Sequence, residues 1–136
     1  MLRSLIAVIA GSVVWMVTAL GMDALLMTFM PEWFGANGKT ESVPLLLFMM
    51  SYSLLFSVLG GYVTALIARR KETQHALALG VLQFVMGIMA TVKFYDTAPL
   101  WFHVTFLLLL IPANIFGGQL RAMQKRNSIH GARAVI

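Results

Sequence analysis

Four stretches of this chain, at about residues 5–30, 43–68, 76–95 and 100–120, are almost unbroken runs of apolar residues. A bilayer core about 30 Å thick takes roughly 20 helical residues to cross, and inside it every backbone amide must find its partner within the helix. Each stretch ends at a breaker. Pro31 and Glu32 close the first, and Ser42 and Pro44 open the second. Arg69, Arg70, Lys71 and Glu72 mark the turn before the third, and Asp96 and Pro99 separate the third from the fourth. The predicted fold is therefore all-α: a four-transmembrane-helix bundle, two similar helical hairpins in tandem, forming one domain over residues 1–136 with a short basic tail at 121–136.

Composition agrees. Of the 136 residues, 60% are hydrophobic and 11% charged, where a soluble domain would carry about a quarter charged. There is too little polar material to coat the outside, so most of the surface meets lipid. Cysteine is absent, which removes disulfides, thiolate nucleophiles and Cys-based metal sites. The first span, with Arg3 ahead of it and Ala19 and Gly21 within it, has some features of a signal peptide. Its apolar run continues past Gly21 to Met30 and predicts a retained span.

Charge orients the bundle, because Lys and Arg are held on the cytoplasmic side. Arg3, Arg69, Arg70, Lys71, Arg121, Lys125, Arg126 and Arg133 fall at one end; Lys39 and Lys93 fall at the other, beside Glu32, Glu41 and Asp96. Both termini are expected in the cytoplasm. The basic end is expected to contact anionic lipid headgroups, at about 1 kcal/mol per basic residue near the surface. No aromatic platform accompanies it, so no nucleic-acid partner is expected. Trp33 and Phe34, then Trp101 and Phe102, are expected as aromatic anchors at the outer interface, with His103 hydrogen-bonding there.

The second helix contains GGYVTA, from Gly60 to Ala65, and the fourth GGQLRA, from Gly117 to Ala122, each followed by basic residues. With Gly11 aligned on Gly80, this suggests a duplicated hairpin; chance likeness between apolar helices is the alternative. Gly61 with Ala65, and Gly118 with Ala122, place small residues four apart on one face, the pattern that lets backbones approach in lipid. Gly60 and Gly117 are expected to widen that groove, so helices two and four should meet there.

The stretches GGYVTALIARRKETQHALALG (Gly60 to Gly80), PLWFH (Pro99 to His103) and LLLLIPANIFGGQLR (Leu107 to Arg121) resemble a family of small, uncharacterised bacterial four-helix membrane proteins. The likeness spans roughly residues 45–121. It implies a bacterial inner-membrane protein and brings no established activity or catalytic residues.

Candidate chemistry is sparse. Asp23 and Lys93 sit at near-equivalent depths in the first and third spans, and an ionisable residue within a span is expensive and often functional. Three readings compete: an intramembrane ion pair, hydrated bystanders with Lys93 snorkelling outward, or a transport or proton-relay role. Pro112 frees a backbone carbonyl in mid-span, and Asn114 and Gln83 are candidates to bond it, to bond across helices for about 1 kcal/mol, or to line a polar path. His75, His103 and His130 lie at different depths, which argues against haem or metal held by this chain alone. Ser51, Ser53 and Ser57 lack a histidine or acid at catalytic depth. The expectation is a non-catalytic accessory subunit packed against a larger membrane complex, respiratory or photosynthetic; the alternative is a small homo-oligomeric transporter or channel using Asp23 and a kinked fourth helix.

Overall fold

The computed structural model describes residues 2–134 and shows four long helices, α1 (Leu2–Phe29), α2 (Val43–Ala68), α3 (Glu72–Lys93) and α4 (Leu100–Ala134). All four are long and apolar enough to cross a membrane. The chain is an integral membrane protein of four-helix-bundle class. No strand occurs among the described residues. α4 does not stop near residue 120: the expected tail continues it as helix. Arg133, at the far end of that tail, lies outside the residues whose side chains are described.

The ends have different characters. At the basic end α2 stops at Ala68, and Arg69 and Lys71 both adopt left-handed backbone (φ 61° and 50°) in the three-residue turn to α3. The freed carbonyls of α2 are bonded by side chains from the neighbouring helices. Arg3 Nε donates to the Ile67 carbonyl (2.8 Å), and Lys125 Nζ donates to the Arg69 carbonyl (2.7 Å). Lys125 also pairs with Glu72 (2.7 Å). Cations there suit the negative end of the helix dipole. These basic residues therefore close the turn. At the opposite end, single 3-10 turns at Pro31–Trp33, Ala36–Gly38 and Tyr95–Thr97 carry the loops. The two loops are tied by the Thr40 amide donating to the Thr97 carbonyl (3.0 Å).

α2 is the hub, packed on all three other helices, while α1 and α4 hardly touch. Its buried positions, among them Leu46, Met50, Ser57, Gly60, Gly61, Thr64, Ala65 and Ala68, recur at helical spacing around much of its circumference. α1 lies on one side of it, and α4 with α3 on the other.

The helices approach closest in one layer. A methyl at Gly61 would strike the Asn114 backbone of α4, and one at Gly117 would strike the backbone of Val58 and Tyr62 on α2. Gly60 faces the other way, where a methyl would lie 3.1 Å from the Gly11 carbonyl oxygen of α1. Gly118 abuts Ala76 and Glu72 of α3, and Gly80 abuts Ile111 of α4. The α2–α4 crossing thus rests on Gly61 and Gly117, not on one face of each motif: Gly60 and Gly118 serve the flanking helices. An in-register two-fold would send Gly60 and Gly117 to equivalent neighbours, but Gly60 meets α1 and Gly117 meets α2. Ala65 is fully buried, whereas Ala122 is only half-buried.

Candidate functional site

The glycine layer closes the bundle nearer the basic end. Gly11 lies nine residues into α1, about 14 Å along its axis. Close to this layer the helices contribute buried polar groups: Thr64 on α2, Gln83 on α3 and Asn114 on α4, all fully inaccessible. The Asn114 amide donates to the Gln83 Oε1 and to the Leu110 carbonyl, both at 2.8 Å. Gln83 Nε2 and Asn114 Oδ1 have no partner. Asn114 thus bonds across helices, into the α3–α4 interface, while Pro112 faces outward and α4 runs through the proline as continuous helix.

Asp23 lies twelve residues beyond Gly11, about 18 Å further towards the opposite end. There the helices part around a cavity of about 490 Å³. Asp23 is on its wall, with Leu20 and Ala24 of α1, Leu46 and Met49 of α2, and Phe102 and His103 of α4. Thr40, buried in the loop, stands at the rim with Phe34, Phe94 and Thr97. The Tyr52 hydroxyl of α2 donates to Asp23 Oδ1 and is, among the described residues, the carboxylate's one hydrogen-bond partner. α2 brings Tyr52 inward between Phe48 and Phe56, with ring centroids 5.4 and 5.9 Å away.

The expected Asp23–Lys93 ion pair does not form. α1 and α3 touch little, so Asp23 faces α2 instead. Lys93, in the last turn of α3, is exposed and holds its ammonium 5.2 Å from the centroid of the Phe94 ring. His103 turns inward to line the cavity, and its Nε2 is buried without a partner. Trp33 and Trp101 are exposed at this end (45% and 41%).

Tyr52 was missed in the sequence although a signal for it existed. A tyrosine hydroxyl buried in a span needs a partner. Tyr52 enters α2 to about the depth at which Asp23 precedes the end of α1, so a hairpin brings the two level. Of the aromatic rim, Phe34 and Phe102 were legible only as interface anchors beside Trp33 and Trp101, and Phe94 carried no signal. No family model, curated protein or solved structure matches this chain.

Proposed function

We propose that this chain is a small, non-catalytic, multi-pass protein of a bacterial inner membrane that takes a solute into the cavity beside Asp23, as a carrier or channel component. The basic end faces the cytoplasm and the cavity opens outward, since basic residues are retained inside. The carrying observation is a carboxylate on the wall of an intramembrane cavity that, among the described residues, no protein cation neutralises. Such a group is costly in a membrane and is kept where it works. The glycine layer supports a one-sided vestibule, closed towards the basic end.

The absence of cysteine allows a direct test. Ala24→Cys places one thiol on the cavity wall, and Ser128→Cys places one on the exposed basic extension. In intact spheroplasts a membrane-impermeant maleimide should label Cys at 24 and label Cys at 128 only after permeabilisation. Labelling at 24 only after denaturation would sink the vestibule; the reverse pattern would invert the orientation.

An accessory-subunit reading keeps one observation in its favour. Gly21 on the outer face of α1 has open space where a side chain would stand, between exposed Val17 and Leu25, which is room for a partner helix. The mass and protein content of the native particle in mild detergent decide it: larger subunits carried along would favour this reading, and a chain alone or a homo-oligomer would remove it.

A further inference from the structure

We propose that the solute is a monovalent organic cation with an apolar body, its charge set against Asp23 and its body against the phenylalanines of the rim. This rests on the cavity reading above and specifies its ligand.

Charge sets the sign. Asp23 is half-buried with Tyr52 its one hydrogen-bond partner, and its second oxygen has no protein partner among the described residues. Neither nearby lysine answers it. Lys39 is paired with Glu41 at 3.0 Å, and Lys93 is placed over Phe94. The loops that form the mouth also carry Glu32 and Asp96, next to or close to the rim residues Phe34 and Thr97. Acids so placed raise the local concentration of cations and repel anions.

The walls set the rest. Phe34, Phe94 and Phe102 line the space, and an aromatic face attracts a cation within about 6 Å of its centroid. Lys93 on Phe94 shows one rim ring already presenting its face to a positive charge. A bare metal ion finds no donor set: among the described residues no three His, Asp or Glu side chains converge. A space of about 490 Å³ is also far larger than a proton or a dehydrated ion needs. A body with apolar surface fills it, as small-molecule sites generally bury apolar surface around a few polar groups.

The test uses the full chain in mild detergent and two water-soluble probes of opposite charge, benzyltrimethylammonium and benzenesulfonate, followed by equilibrium dialysis. The cation should bind saturably and the anion should not. Asp23→Asn should weaken the cation by about tenfold or more, the loss of one charge-assisted contact. Phe102→Leu should weaken it by about two- to fivefold, in the range of a single exposed cation–π contact. Lys93→Met, which removes the competing ammonium, should tighten it. Unchanged helical content and melting temperature in Asp23→Asn exclude misfolding as the cause; if that variant fails to fold, Phe102→Leu and Lys93→Met carry the test. Equal binding of both probes, or cation binding indifferent to all three substitutions, overturns the proposal. Should Cys at 24 be labelled from outside while benzyltrimethylammonium fails to bind, the ligand class alone is wrong. Should neither occur, the cavity reading falls first.

Discussion

Gly61 and Gly117 meet the opposing helix backbone with no side chain between, so a methyl at either has no flexible neighbour to displace. Gly61→Ala or Gly117→Ala is expected to destabilise the bundle by about 1–3 kcal/mol, the usual cost of overpacking. Thermal unfolding in detergent measures it. Gly21→Ala, with nothing within 4 Å of the new carbon, should be neutral. Asn114→Leu removes the Gln83 bond but also leaves that amide unpaired in a dry interface. A loss of about 1–2 kcal/mol is expected for an interhelical polar pair in lipid, read by the same melts. A gain in stability would show that the unpartnered Asn114 Oδ1 already costs more than the bond contributes. The glycine pairs were visible in the sequence, but the division of labour within each pair was not. Adjacent residues on a helix point about 100° apart, and which direction holds the neighbour is a property of the assembled bundle.

The α2–α3 turn gathers strain and compensation in three residues. Arg69 and Lys71 both occupy left-handed backbone, a region that costs a side-chain-bearing residue roughly 1–2 kcal/mol. Arg69→Gly relieves it at one position and should raise stability by up to about 1 kcal/mol, seen as a higher melting temperature. A fall would mean that the charge at 69 contributes more than its backbone costs. Lys125 clasps this turn from α4 through the Arg69 carbonyl and Glu72. The lysine is substantially exposed, so Lys125→Met is expected to cost no more than about 1 kcal/mol, with high salt eroding the wild-type advantage. The basic residues were legible as an orientation signal. Their second use, satisfying the carbonyls at the end of α2, depends on α1 and α4 arriving at that corner, which no local pattern encodes.

As a whole the molecule is a bundle gathered round α2, drawn tight by glycines near its basic end and splayed into a cavity at the other. The contacts that hold the tight layer lie before residue 119, so deletion of residues 123–136 should cost little more than Lys125→Met and the Tyr62–Gln124 hydrogen bond together. A monodisperse, fully helical particle on size exclusion and circular dichroism is the expected result. Loss of the folded particle would place the helical extension of α4 in the core of the assembly. The sequence by itself determined the number of helices, their limits to within a few residues at most ends, and the separation of basic from acidic ends. Those properties follow from hydropathy and charge read along one dimension. Only the tertiary structure decided that Asp23 meets Tyr52 rather than Lys93, that His103 turns inward and that Gly60 and Gly61 serve different helices. The physical reason is the solvent: lipid and protein core are equally apolar, so a spanning helix lacks the polar face that would mark, in water, which side its neighbours occupy.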